Sequence, residues 1–245
     1  MYNHRFPPLK AVIFDLDHTL WDMERNASET LTELFLQFQF GKHTLGSAQD
    51  FVALYRLHNQ RLWQDYERGL VSKQELRTLR FDRALDDLGV PPNARPSDLW
   101  SHFLQACPEQ THLMPHARSV LTFAAAHCKV GLISNGFDNT QRRKLAHSQL
   151  ESFFDVVVIS EKLGFSKPNP AIFQHACRLL QVDPSEAVMI GDHVDYDIKG
   201  ALDAGLRAIW FNPEGKEATW EVPFQVRSLE EVPKLLASAL DKVGL

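Results

Sequence analysis

Cysteines, long apolar runs and clusters of one charge sign are all scarce in this chain of 245 residues. The three cysteines, Cys107, Cys128 and Cys177, are far apart and odd in number, which argues against a disulfide framework and favours reduced thiols in a cytoplasmic protein. No apolar stretch is long enough to cross a bilayer, and residues 1–10 lack a hydrophobic signal core, so we expect neither membrane insertion nor secretion. The net charge is −5 and the basic residues are scattered, which argues against a nucleic-acid polymer as partner.

What the chain does have is a pair of carboxylates directly after an apolar run. Residues 10–14 have the pattern of a short buried strand, and Asp15 and Asp17 follow it. Side chains alternate along an extended chain, so we expect both to point to one side. Their mutual repulsion falls if a divalent cation lies between them. The pair therefore suggests a metal site with oxygen ligands, although an isolated pair would more often cap a helix.

Four further apolar runs resemble the first, and stretches with helical spacing separate them. The runs cover residues 129–134, 155–160, 187–190 and 207–211. This alternation predicts an α/β fold whose central parallel sheet is covered on both faces by helices. At the end of the chain, residues 228–243 have the pattern of an amphipathic helix with Ser228 as its N-cap.

The connection between the first two predicted strands is too long for one crossover helix. Residues 21–112 carry good helix patterns and no strong strand signal; Ser72 and Glu75, for example, have the spacing of a capping box. We therefore predict two domains. Residues 1–20 and 113–245 form the core, and residues 21–112 form an inserted all-helical domain.

Polar groups follow the first, second and fourth predicted strands, and a lysine lies between the third and the fourth, at the edge where ligands bind in parallel sheets. Ser134 ends the second run, Lys167 precedes a helix, and Asp192 follows the fourth run together with Asp195 and Asp197. A carboxylate nucleophile, a hydroxyl, a lysine and several acids suit phosphoryl transfer through an aspartyl phosphate. The all-oxygen ligand set favours Mg²⁺ over zinc.

Taken in chain order, these residues resemble the four motifs of the haloacid dehalogenase superfamily. The motifs are Asp15-x-Asp17-x-Thr19, Ser134, Lys167-Pro168 and Gly191-Asp192-x4-Asp197. The resemblance spans nearly the whole chain, and it implies a Rossmann-like three-layer core with a helical cap of the C1 type inserted after the first motif.

The resemblance also implies a role for each matching residue. Asp15 would be the nucleophile and Asp17 the general acid and base, with its backbone carbonyl on Mg²⁺. Asp192 would ligate the metal. Asp197 would either fix Lys167 or act at the metal. The residues that would orient the first loop or bind the substrate are Thr19, Ser134, Asn135, Gly136 and Lys167.

Finer similarity points to the pyrimidine 5′-nucleotidase subgroup. The segments around Ser134 and Lys167 look like that subgroup, and so does the predicted cap near Trp63 and Tyr66. These two rings could stack a nucleobase, although packing within the helical domain is the simpler interpretation of either ring alone. The resemblance thus implies a Mg²⁺-dependent phosphatase for a small phosphorylated metabolite such as a nucleoside 5′-monophosphate.

Other activities share these motifs and remain as alternatives. A sugar-phosphate phosphatase or phosphomutase would use the same residues. A 2-haloacid dehalogenase would lack the second acid, which is present here as Asp17. A phosphonatase would need a cap lysine, and neither Lys42 nor Lys73 has a recognisable context. A non-catalytic binding protein would have lost part of the acid set. The pattern is compatible with a monomer or a small homo-oligomer.

Overall fold

The computed structural model describes residues 8–240, with side chains through residue 237. Residues 1–7 and 241–245 lie outside the described residues, and with them the end of the predicted C-terminal helix. The strands of this part of the chain are β1 (Ala11–Phe14), β2 (Lys129–Ser134), β3 (Val156–Ile159), β4 (Ala187–Gly191), β5 (Arg207–Phe211) and β6 (Gln225–Val226). These six strands form one sheet in the order β3-β2-β1-β4-β5-β6.

Every neighbouring pair in the sheet is parallel, and β1 lies at its centre between β2 and β4. All four residues of β1 are buried, as its uninterrupted apolar sequence requires when both faces are covered. The helices are α1 (Met23–Gln37), α2 (Ala48–Glu67), α3 (Lys73–Asp87), α4 (Leu99–Ala106), α5 (Ala117–His127), α6 (Asp138–His147), α7 (Pro170–Leu180), α8 (Gly200–Asp203) and α9 (Val232–Leu240).

The two faces of the sheet are buried by different helices. Ala11 and Ile13 join an apolar cluster with residues of α7 and α8 on one face. Side chains alternate along a strand, so Val12 and Phe14 are buried on the opposite face. There α5 packs against β2 and also against α9. These are the three layers of the predicted α/β fold, which is confirmed.

The described contacts divide the chain into two compact units. One contains the sheet and comprises the chain up to Met23 and from Thr111 onward, and the other is Glu24–Gln110. Where the chain leaves and returns to the first unit, two backbone hydrogen bonds pair its segments, from Asp22 N–H to the carbonyl of His112 (3.1 Å) and from Met114 N–H to the carbonyl of Leu20 (2.9 Å).

The second unit is built from helices around an aromatic centre. Tyr55 of α2 contacts both Phe81 of α3 and Phe103 of α4, with ring centroids 5.0 and 5.3 Å apart. The predicted capping box at the start of α3 is present: the Ser72 hydroxyl accepts from Glu75 N–H, and the Glu75 side chain accepts from Ser72 N–H. No strand occurs between Glu24 and Gln110.

Differences from the predicted elements are small. The short strand β6 was not expected from the sequence, because two residues are too few to show a hydrophobic period. The helix predicted after β4 begins as a π-helical turn, Val194–Lys199, before α8. None of the three cysteines forms a disulfide in the described residues. No helix in residues 8–240 has both the length and the apolar character needed to cross a membrane.

Candidate active site

The first site residue, Asp15, extends directly from the end of β1. Its N–H donates to the carbonyl of Ile190 (2.9 Å), which continues the hydrogen-bond ladder with β4 by one residue. Because the strands are parallel, the end of β1 is brought beside the end of β4, where Gly191 and Asp192 follow. The predicted meeting of these segments at one sheet edge is therefore present in the structure.

Three carboxylates meet at this edge. One oxygen each of Asp15, Asp192 and Asp197 lies within 4.8 Å of the others. Asp197 is on the π-helical turn, and its Oδ2 accepts from His193 N–H (3.0 Å). A Cβ on Gly191 would lie 2.4 Å from Asp197 Cγ, so only glycine allows this approach.

Lys167 supplies a positive charge that two of these acids share. Its Nζ donates to Asp15 Oδ1 and to Asp197 Oδ1, each at 2.5 Å, and the lysine is buried. Burial by itself would lower the pKa of Lys167, but the charges of Asp15 and Asp197 raise it above its usual range. Lys167 is therefore a firmly charged group, and the hypothesis that Asp197 fixes it agrees with this contact.

One ammonium does not balance three carboxylates. Burial, assisted by the charges of Asp197 and Asp192 and opposed by Lys167, raises the pKa of Asp15 to about 8. Burial and the charge of Asp197 raise the pKa of Asp192 to about 7. A divalent cation would relieve this excess of negative charge, and carboxylate oxygens are the ligands that Mg²⁺ prefers. The residues present thus fit a magnesium site.

Thr19 and Ser134 are both buried polar residues beside the acids. The Thr19 hydroxyl donates to Asp192 Oδ1 (3.3 Å), which ties the first loop to the end of β4. The Ser134 hydroxyl accepts from Gly136 N–H (3.2 Å) and from the Gln141 side chain (2.6 Å). Since Ser134 Oγ accepts two hydrogen bonds, its own proton is available to an anion such as phosphate.

The Asn135 side chain binds the backbone of Lys167. Its Nδ2 donates to the Lys167 carbonyl and its Oδ1 accepts from Lys167 N–H, both at 2.9 Å. The amide keeps a second N–H, so a contribution of Asn135 to substrate binding stays a prediction. The exposed Asp195 has no part in the carboxylate group.

The Asp17 side chain lies outside that group as well. Its carboxylate accepts from Lys144 Nζ (2.6 Å) and from Gln141 Nε2 (2.8 Å). Burial would raise its pKa, but Lys144 and Gln141 together lower it below the usual value. From the sequence we expected the backbone carbonyl of Asp17, and not its side chain, to ligate Mg²⁺. That expectation remains a hypothesis.

Gln141 and Lys144 are site residues that the sequence reasoning missed. Both lie on α6 and both are buried, although glutamine and lysine on a helix after a strand usually face solvent. A signal was present in their spacing, because residues three apart share one helix face. Which face is buried could not be decided without the tertiary structure.

Trp63 and Tyr66 belong to the helical unit, on α2. Their rings meet edge to face, with centroids 5.8 Å apart and planes at 88°. Both side chains are partly buried and partly exposed. Their role in binding a substrate stays a prediction.

A buried aspartate, a charged lysine and a group of three carboxylates at the carboxyl edge of a parallel sheet are the features of a hydrolase with an α/β fold and an acidic centre that could hold a metal ion. Residues 9–205 match the haloacid dehalogenase-like hydrolase family, and the chain belongs to that family.

Relatives extend the similarity to nearly the full length. The chain is 34% identical to pyrimidine 5′-nucleotidase YjjG of Escherichia coli over 92% of this chain and 96% of that protein. It is 30% identical to human (Homo sapiens) N-acylneuraminate-9-phosphatase, over 97% of both. Among solved structures, the HAD-hydrolase YfnB of Bacillus subtilis bound to magnesium has a TM-score of 0.82 and 27% identity, over 94% of this chain and 99% of that one.

Proposed function

We propose that this protein is a Mg²⁺-dependent phosphatase that hydrolyses small phosphomonoesters through an aspartyl-phosphate intermediate on Asp15. The observation that carries the proposal is the grouping of Asp15, Asp192 and Asp197, two of which, Asp15 and Asp197, pair with the ammonium of Lys167. A nucleophilic carboxylate beside a fixed cation and a metal site is the arrangement that phosphoryl transfer needs.

Asp15, Asp192 and Asp197 are the side chains that would hold or surround Mg²⁺. When bound, the metal would reduce the repulsion between the Asp15 carboxylate and the phosphate dianion and stabilise charge on the transferred group. The structural relative YfnB binds magnesium. We expect Ca²⁺ to inhibit, since its looser coordination suits the nucleophile poorly.

In the first step, a carboxylate oxygen of Asp15 attacks phosphorus and the bond from phosphorus to the ester oxygen breaks. Lys167 and the Ser134 hydroxyl hold the phosphoryl oxygens during this transfer. Asp17 enters this step carrying the proton that it takes from water in the second step of the previous turnover. It gives that proton to the departing ester oxygen, which leaves as an alcohol.

In the second step, Asp17 acts as a base. As a carboxylate it accepts a proton from water while the water oxygen attacks phosphorus, and the bond from phosphorus to the Asp15 oxygen breaks. Inorganic phosphate leaves and Asp15 is restored. Donating its proton in the first step leaves Asp17 as the carboxylate that the second step requires, and its hydrogen bonds from Lys144 and Gln141 favour that form.

For the substrate, we propose nucleoside 5′-monophosphates, with pyrimidine nucleotides preferred. The similarity to YjjG supports this class. In the helical domain, which we propose as the cap, Trp63 and Tyr66 offer partly exposed aromatic rings that could stack on a base.

A sugar phosphate is the second candidate substrate. The similarity to N-acylneuraminate-9-phosphatase covers slightly more of the chain than that to YjjG, at a slightly lower identity. The acid centre would serve either substrate equally, because it acts only on the phosphoryl group.

A phosphate-release assay with purified protein tests both parts. We expect Mg²⁺-dependent turnover of p-nitrophenyl phosphate, followed in a screen by preferred turnover of UMP and CMP over purine nucleotides and sugar phosphates. Preference for a 9-phosphorylated acyl sugar would replace the substrate class but keep the chemistry. Absence of phosphate release from every ester, with and without Mg²⁺, would refute the proposed function.

A further inference from the structure

Helix α6 directs two buried polar side chains at the same carboxylate. Gln141 and Lys144 lie three residues apart on one helix face and are only 1% and 4% exposed. Lys144 Nζ donates to Asp17 Oδ1 (2.6 Å), and Gln141 Nε2 donates to Asp17 Oδ2 (2.8 Å). One donor on each oxygen fixes both the position of the carboxylate and the rotation of its plane.

Lys144 is itself closely held. Its Nζ lies 4.3 Å from the centroid of the buried Trp21 ring, close enough for a cation–π contact, and 3.9 Å from Met23 Sδ. The Lys144 side chain therefore has little conformational freedom. Its ammonium is held against Asp17 by Trp21 and Met23, which follow the acid closely in sequence.

Gln141 connects Asp17 to the predicted phosphate-binding hydroxyl. Its Nε2 donates to Ser134 Oγ (2.6 Å) as well as to Asp17. The orientation of the amide is fixed by chemistry, because a carboxylate oxygen can only accept. A Cβ on Gly136 would lie 2.4 Å from Gln141 Nε2, so glycine at 136 is what allows the amide to occupy this place.

A purely structural role explains poorly why a buried lysine pairs with the partly exposed Asp17 carboxylate. Taking an ammonium out of water costs much of what its attraction to a carboxylate returns, and apolar residues of similar volume often stabilise a fold as well or better. A lysine at this position thus has its clearest advantage in acting on the Asp17 carboxylate.

We propose that Lys144, together with Gln141, is a positioning residue that holds the Asp17 carboxylate in place for proton transfer to and from the substrate. This inference rests on the proposed function. Lys144 acts only through Asp17 and forms no bond with the substrate.

The dependence of rate on the leaving group separates this role from general damage. A poor leaving group such as the ribose oxygen of a nucleotide needs a proton from Asp17, whereas p-nitrophenolate departs without one. The constant kcat/KM covers the steps up to departure of the leaving group, so it should be measured for UMP and for p-nitrophenyl phosphate.

We expect Lys144→Met to lower kcat/KM for UMP about tenfold, and for p-nitrophenyl phosphate less than about threefold, because it disturbs only a proton transfer that contributes about 10²–10⁴-fold in full. Lys144→Gln, which removes the charge and keeps most of the length, should give the same pattern and serves if the methionine variant does not fold. Lys10→Met is the matched control: Lys10 pairs with Glu186 near the start of β1, and its loss should change neither constant.

A double-mutant cycle with Asp17→Asn completes the test. In the Asp17→Asn background, Lys144→Met should have no further effect on kcat/KM for UMP, since its route of action is gone. An equal loss for both substrates, additive losses in the cycle, or unchanged kinetics would each overturn the inference. An inactive wild-type protein would instead refute the proposed function.

Discussion

The side-chain amide of Asn135 forms two hydrogen bonds with the backbone of Lys167: its Nδ2 donates to the carbonyl and its Oδ1 accepts from the N–H, each at 2.9 Å. The two residues are 32 positions apart in sequence. This pair of hydrogen bonds joins the loop after β2 to the segment that carries the lysine. The place of the Lys167 ammonium between Asp15 and Asp197 therefore depends on a residue whose side chain forms hydrogen bonds to Lys167 and to neither acid.

The first prediction concerns the two hydrogen bonds between the Asn135 side chain and the Lys167 backbone. Asn135→Ala leaves the N–H and carbonyl of Lys167 without their partner, and we expect a loss of about 1–3 kcal/mol in the free energy of unfolding. KM for a phosphomonoester should rise because Lys167 is less well placed. Urea unfolding and steady-state kinetics measure the two effects. The exposed Asn93 provides the control, since Asn93→Ala should alter neither; an unchanged KM in Asn135→Ala would contradict the prediction.

The second prediction concerns the nucleophile. Asp15→Asn should reduce phosphate release by at least about 10³-fold, because an amide cannot form the covalent intermediate. Asp195→Asn is a matched control in the same motif region, and its exposed side chain should be dispensable. Phosphate release under saturating Mg²⁺ gives both values. Retained turnover in Asp15→Asn would remove Asp15 from the mechanism.

The third prediction concerns the close approach of Asp197 to the end of β4. A methyl group at position 191 would lie 2.4 Å from Asp197 Cγ, so Gly191→Ala must displace the Asp197 side chain from its present position. We expect a loss of about 1–3 kcal/mol in stability together with a fall in activity. In Gly41→Ala the new methyl would meet Phe35 at an ordinary 3.5 Å, so that variant should behave as the wild type. Thermal unfolding compares them, and equal stability of the two variants would speak against the clash.

The fourth prediction concerns pH. The pKa of Asp15 is about 8 in the folded protein against an ordinary 3.8, so the folded state binds more protons than the unfolded state between these values. In the absence of metal, the contribution of Asp15 to the free energy of unfolding should therefore fall as pH rises from 5 to 8. Mg²⁺ should stabilise more at pH 8 than at pH 6, because protons compete with it.

Urea unfolding in EDTA and in Mg²⁺, at both pH values, measures this dependence. Asp15→Asn cannot titrate at position 15, so the pH dependence of its metal-free stability should be visibly flatter. If the variant and the wild type show the same slope, the raised pKa of Asp15 is wrong.

The residues at the centre of the site could be predicted from the sequence because they lie at the ends of strands. Asp15, Ser134 and Asp192 each follow an apolar run, and the parallel sheet brings those ends to one edge. The capping box at Ser72 was equally predictable, since a cap depends on residues only three apart. The spacing of residues within a cap and the position of a residue at the end of an apolar run can both be read from the local sequence.

The sequence by itself determined the α/β alternation, the long helical insertion and the order of acid, hydroxyl and lysine along the chain. Only the tertiary structure decided that Lys144 and Gln141 turn inward to Asp17, and that Asn135 serves Lys167. The physical reason is that a helix has several faces and a loop many conformations. Which of them is buried depends on packing against distant segments, and no local pattern records that choice.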